Sequence, residues 1–418
     1  MRVPVAISKM IMSSLILMLL IGTAEGAGSL RETVTHLFGP DGLILAPTTL
    51  RRSPPGTREG DFQASSIRGL EQLNNQINSA VGIFAFNSSV TGFTFDLERG
   101  IPIQTTESLG PLLTERAPTL GAKRLNVNMT YTRINFTQFE GTDLDNIPLA
   151  FAAEDINRNG IIDTRGRFRA ESDQVLVDLD LDISEDLVAL IATYGLTSHW
   201  DVGVVVPIVH LRFRAKGKAT IVDKDGNLGG TVQTGQPVHL FRNGSSTLKA
   251  SSGGNATGVG DVILRTKYNF LLNHSVLPDL SAVAEVKLPT GSRDDLLGTG
   301  GTNLTGLLVA SKTYHRWFTP HLNFGYVRDT RDTHQSKIRY AVGFDARLLK
   351  ELTTATDIMG YSKPDGNGVG DNTVDLSLGV KWNPMDFWFL GANFQIPLNK
   401  SSGLRPDFIP TFSVEYTF

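Results

Sequence analysis

The sequence predicts an all-β fold, a closed antiparallel transmembrane β-barrel of twelve strands (fourteen as the alternative), preceded by a partly helical N-terminal plug or extension. Three observations point there. From about residue 122 onward, apolar and polar residues alternate in segment after segment. The connections between those segments alternate between short and long. The last residues form a strand, with Phe412, Val414, Tyr416 and Phe418 on one face and Thr411, Ser413, Glu415 and Thr417 on the other.

In chain order, residues 1–26 read as an export signal. Arg2 and Lys9 supply charge, Met10 to Ile21 a short apolar run, and Ala24 and Gly26 the small residues of a cleavage site. That run falls short of the ~20 residues a spanning helix needs. Residues 27–120 do not alternate cleanly. "RRSPPGTREG" (51–60) reads as a loop. In 65–82, Ile67, Leu70, Leu73, Ile77 and Val81 recur at helical spacing behind Ser65 or Ser66 as an N-cap. Residues 90–106 read as a hairpin turning near Glu98 to Gly100. The segment has three possible placements: a plug inside the barrel, a periplasmic extension, or an addition of the hairpin to the wall.

Residues 121–418 form the barrel, with strands expected at 123–138, 173–195, 200–217, 258–271, 279–290, 302–313, 320–328, 336–349, 352–362, 372–382, 387–398 and 408–418. A soluble sandwich alternates in the same way. A membrane barrel also explains a small or charged face that recurs in nearly every strand. It accounts for the aromatics at strand ends, among them Tyr268, Phe270, Trp317, Phe318, Trp382 and Trp388, and for short turns kept to one end. Both termini are then expected in the periplasm of an outer-membrane protein. Phe418 resembles the terminal aromatic read by outer-membrane assembly machinery.

The stretches "ESLGPLLTERAPTLGAKRLNVNMTYTRINF" (107–136), "ATYGLTSHWDVGVVVPIVHL" (192–211), "GVGDVILRTKYNFL" (258–271), "AVAEVKLPTG" (282–291) and the last strand resemble one known family. These are the outer-membrane proteins linked to the meta-cleavage pathway of phenol degradation, similar in kind to barrels that admit fatty acids and aromatic hydrocarbons. The resemblance implies passive passage of small hydrophobic or aromatic molecules. Its motifs are strand and turn patterns and specify no substrate.

If the apolar face meets lipid, the other face lines a lumen: Asp178, Asp180, Asp182, Arg212, Arg214, Asp261, Arg265, Lys267, Glu285, Lys287, Arg339, Asp345, Arg347, Asp375 and Lys381. An Arg or Lys facing lipid at mid-depth would cost about 2–4 kcal/mol. Hairpin geometry sets Arg265 opposite Glu285 and brings Asp182 near Arg214, an arrangement that neutralises a filled interior or builds a mixed-charge constriction. Pro207 interrupts its strand and the apolar set shifts beyond it. That pattern implies a bulge near Pro207 to His210, either a curvature device or a lateral exit for solute.

Other classes find little support. The net charge of −3 gives no basic footprint for nucleic acid. The absence of cysteine excludes a disulfide scaffold and a thiolate metal site. No cofactor is expected. In "EDINRNGIID", Asp155, Asn157, Asn159 and Asp163 occupy calcium-loop positions, but the twelfth position is Gly166. No Ser/His/acid set stands on neighbouring strands, so no enzyme is expected. A structural or adhesive barrel remains the alternative, and a barrel-embedded hydrolase is a more distant one.

Overall fold

The computed structural model describes residues 29–46, 62–80, 93–96, 101–104, 108–153, 155, 160–161, 173–222, 240–364, 372–385 and 388–417. The expected export signal, the 51–60 loop, Phe418 and three of the four calcium-loop residues (Asn157, Asn159 and Asp163) lie outside them.

The wall has twelve strands: β1 (Arg124–Phe139), β2 (Gln174–Gly195), β3 (Trp200–Val222), β4 in two segments (Thr247–Val259 and Ile263–Leu271), β5 (Asp279–Lys287), β6 (Asn303–Ser311), β7 (Phe318–Asp329), β8 (Lys337–Leu349), β9 (Leu352–Ser362), β10 (Asn372–Met385), β11 (Trp388–Pro397) and β12 (Ile409–Thr417). Each pairs antiparallel with the next, and β12 closes on β1 from Thr411↔Thr132 to Thr417↔Asn126. Closure removes the unpaired edge that hydrocarbon cannot tolerate. The hairpin Phe93–Asp96/Ile101–Gln104 meets β1 only at Phe95↔Leu125 and Asp96↔Arg124. It is too short to span, so the fourteen-strand wall does not form.

The alternation now has a cause. Met129, Leu264, Leu308, Leu322, Phe324, Val342, Ile358, Leu378, Leu390 and Phe412 are all exposed on the outer face. A soluble protein does not leave so much contiguous apolar surface bare, whereas a lipid-facing barrel must. At the short-turn end this belt is edged by rings: Trp388 packs at a tilt against Tyr416 at 4.8 Å, and Phe318 against Phe344 at 5.3 Å. The polar tips of Trp388 and Tyr416 suit that interface.

β2 and β3, with 22 and 23 residues, are about twice the length needed to cross. Both start flush at the short 196–199 turn, so their surplus projects from the long-loop end. There the inside and outside exchange character. Val175, Val177, Leu179, Leu181, Phe213 and Ala215 point inward and are buried, in one cluster with Leu30, Val34, Leu43 and Phe62 of the N-terminal segment. Helix α1 (Gln63–Ala80) adds Leu70, Leu73 and Ile77. It begins earlier than expected, so Ser65 and Ser66 lie within its first turn rather than capping it. Ser66 Oγ instead accepts the Leu43 N–H at 3.2 Å and donates to Gln63 O at 3.0 Å.

This projection corrects the expected lumen. Asp178, Asp180, Asp182, Arg212 and Arg214 stand on the outer face, not inside. They sit above the lipid belt, where outward charges meet water and the interior is filled by apolar chain. Arg212 pairs with Asp182 at 2.6 Å and Lys216 with Asp180 at 3.3 Å, whereas Arg214, the cross-strand neighbour of Asp182, forms no such pair among the described residues. Residues 29–46 also lie at the long-loop end, whereas Thr417 lies at the short-turn end. The described ends of the chain are therefore on opposite sides of the wall, unlike the shared side expected.

Candidate functional site

Between Ser108 and Lys123 the chain crosses the lumen as an irregular strap. Pro111 and Pro118 lack a donor, and Gly110 and Gly121 turn at φ 84° and 90°. A strand cannot form there, so the buried backbone must find partners among wall side chains. Leu109 N–H donates to Thr353 Oγ1 at 2.9 Å, Glu115 N–H to Asn323 Oδ1 at 2.8 Å, Ala117 N–H to Ser311 Oγ at 3.0 Å and Leu120 N–H to Asp201 Oδ2 at 2.9 Å. In return Lys381 Nζ donates to Leu109 O at 3.3 Å, and Asn269 Nδ2 to Ala117 O at 3.1 Å. Leu112 seats on Gly379 and Gly391, where a Cβ would lie 2.7 and 2.8 Å from its methyls.

Charge fixes the strap further. Glu115 reaches Arg265 at 2.7 Å and Lys267 at 3.2 Å. Burial pushes the Glu115 carboxyl up, but the charges of Arg265 and Lys267, with the hydrogen bonds they donate, outweigh it and hold it down at about 2. Arg116 and Ser108 both bind Asp345. Glu285 does stand opposite Arg265, but at 3.8 Å, and it shares a similar contact with Arg339 at 3.8 Å. Asp261, Arg265, Lys267, Glu285, Lys287, Arg339, Asp345, Asp375 and Lys381 therefore point inward, and most of them hold chain rather than line open water. Asp375 pairs with Arg405 of the β11–β12 loop, and Arg347 lies at the short-turn rim, donating to Leu349 O at 3.2 Å. Glu115, Arg116, Thr114 and His321 were not singled out from the sequence. The available signal was an acid and a base bracketed by two prolines in a segment without period.

His321 is fully buried against the strap. Its Nε2 meets both Thr114 Oγ1 at 2.9 Å and Asp357 Oδ1 at 2.6 Å, while Nδ1 makes no hydrogen bond and lies 3.8 Å from Asp345 Oδ1. Hydrogen bonds among Thr114, His321 and Asp357 tie the strap to β7 and β9.

On the long-loop side of the strap, the wall is interrupted. β3 pairs with β2 without a register shift from Val222 to Asp201, so the bulge expected at Pro207 to His210 is absent from β3. It lies in the next strand. Val205 pairs with Ile263 and Ile208 with Val259, leaving Gly260, Asp261 and Val262 opposite two residues. Pro207 has no N–H to offer β4 at that point; its carbonyl accepts the Gly260 N–H at 2.9 Å instead. His210 faces outward, 2.6 Å from Thr257 Oγ1. Beyond the break, Thr247–Val259 pairs with β3 alone among the described strands, because β5 ends at Lys287.

The 288–302 loop covers the gap. Asp261 accepts from Lys287 Nζ at 2.9 Å, Gly291 N–H at 3.1 Å, and Thr299 N–H at 2.9 Å. Leu296 and Leu297 are buried beneath it. In the calcium-like loop, Asp155 accepts the Gly160 N–H at 2.6 Å, which is turn chemistry.

The wall break and the 288–302 loop, though not the strap, lie within residues 165–355, which match the family model described as "MetA-pathway of phenol degradation". The resemblance holds. No curated protein matches the chain. Among solved structures, the outer-membrane channel of the COG4313 group from Pseudomonas putida F1 is 12% identical, with a TM-score of 0.46 over 73% of this chain and 99% of that one. The toluene transporter TbuX of Ralstonia pickettii is 11% identical, with a TM-score of 0.37 over 82% and 98%. A FadL homologue from Pseudomonas aeruginosa is 10% identical, with a TM-score of 0.33 over 70% and 89%.

Proposed function

We propose that this chain is a passive outer-membrane channel for small hydrophobic or aromatic solutes, with its long loops outside and its short turns in the periplasm. A solute enters from the long-loop end and leaves sideways through the wall at Gly260–Val262. One observation carries the reading. The short-turn half of the lumen is closed by a strap whose buried polar groups are bonded to the wall, and the ladder is broken on the other side of that closure. An axial route for water-soluble molecules would have to undo those bonds. A lateral route needs only movement of the loop held by Asp261. The apolar outer belt and the family match support the outer-membrane location. Phe418 would serve assembly, and no catalytic or cofactor role is assigned.

Reconstitution tests this. Liposomes containing the protein should take up toluene faster than empty ones, while ion conductance across planar bilayers stays small. Equal uptake by empty and loaded liposomes would reject the channel reading in favour of a structural barrel.

A further inference from the structure

Three arginines from three separate segments meet at the long-loop mouth: Arg31 of the N-terminal segment, Arg293 of the 288–302 loop and Arg331 of the β7–β8 loop. Arg31 N–H donates to Asp294 O at 3.0 Å, and its own carbonyl accepts from Asn74 Nδ2 at 2.6 Å and Asn78 Nδ2 at 2.9 Å. Arg293 and Arg331 converge on Gly300, where a Cβ would lie 2.7 Å from Arg293 Cδ and 3.0 Å from Arg331 Nη1. Arg331 Nη1 reaches Thr299 O at 3.3 Å.

The cluster is under-neutralised. Asp294 and Glu32 act on Arg31 and Asp294 on Arg293, Asp329 Oδ1 accepts the Arg331 backbone N–H at 2.9 Å, and among the described residues none of the three guanidinium groups forms an ion pair. Glu32 contacts His36 at 3.4 Å. Arg293 Nε is shielded from solvent and has no hydrogen-bond partner. Burial lowers the pKa of Arg31 and of Arg293, and repulsion from Arg331 adds to it in both. Like charges fixed together in this way are costly unless an anion joins them, and planar guanidinium forks match an oxyanion.

We propose that Arg31, Arg293 and Arg331 form a binding site for the carboxylate headgroup of an amphipathic permeant. The assignment rests on the channel reading and adds anionic amphiphiles to the neutral solutes it admits. The site shares its loop with the cover of the wall break, since Leu296 and Leu297 stand three and four residues after Arg293. A carboxylate held at the mouth is therefore captured by the same segment that must move for its tail to leave.

The test uses the full chain, with benzoate as the probe. Titration calorimetry should show benzoate binding that weakens tenfold or more in R293Q/R331Q. It should stay within about twofold in K218Q/K249Q, which removes the same charge from the outer face. In liposomes the arginine variant should lose benzoate uptake and keep toluene uptake. Unchanged benzoate affinity, or equal loss of both uptakes, would overturn the site. A phosphate source is separated by competition. Lipopolysaccharide bound through these arginines and not displaced by benzoate would make this a lipid site and overturn the permeant assignment. If neither solute crosses but arginine-dependent benzoate binding persists, the channel reading fails and the oxyanion site stands.

Discussion

Glu115 of the strap lies 2.7 Å from Arg265 and 3.2 Å from Lys267 of β4, so one buried carboxylate neutralises two wall cations. Glu115→Gln removes the closest acid of both cations, with Arg265 keeping the 3.8 Å contact with Glu285. Removing one partner of a buried pair typically costs about 3–5 kcal/mol. The barrel has many other bonds, so the cost should appear as release of the strap. Expected results are a higher single-channel conductance and faster protease cleavage within 108–120, with the folded barrel retained on unheated gels.

The same contact sets a pH range. The Glu115 carboxyl sits at about 2 in the folded protein against an ordinary 4.5. Its contribution is complete above 4.5 and is lost as pH falls towards 2. Strap protection should therefore hold at neutral and mildly acidic pH and decline only below about 4.5. Loss of protection already near pH 6 would count against Glu115 as the main anchor.

Leu112 against Gly379 and Gly391 offers an uncharged route to the same outcome. Gly379→Val places methyl groups where Leu112 now packs, and Leu112→Ala leaves a void costing about 2–5 kcal/mol. Both should raise conductance, and neither should change its pH dependence.

Asp261 ties the cover loop to the broken strand. Asp261→Ala removes the acceptor for Lys287, Gly291 and Thr299 together. Uptake of toluene should rise and protection of residues 288–302 from proteolysis should fall, with strap protection unchanged because its bonds lie on the other side of the break. A variant that loosens the strap but not the loop would separate these elements differently.

Much of the fold was legible because one physical demand, lipid outside and polar groups inside, stamps period two on every strand between the bilayer faces. Leu376, Leu378 and Val380 against Asp375, Ser377 and Lys381 carry it plainly. The rule failed where its cause ends. Beyond the belt, Asp178 and Arg214 keep the alternation but reverse its meaning, and only the length of β2 and β3 hinted that these strands leave the membrane. Pro207 marked the right level of the wall but the wrong strand, because a missing N–H is felt by the neighbour that should have accepted it. The strap was least readable. It has no period, and its partners, Asn323, Ser311, Thr353 and Asp345, lie roughly two hundred residues away.

The lateral exit can be tested with one covalent bond, because the chain has no cysteine of its own. A Cβ at Gly258 would lie 2.9 Å from Leu297 Cδ1, so Gly258→Cys with Leu297→Cys can join the cover loop to β4 at the break. Toluene uptake into liposomes should fall at least fivefold when the pair is oxidised and return on reduction, with ion conductance unaffected. Equal uptake in the oxidised and reduced states would contradict passage through the wall.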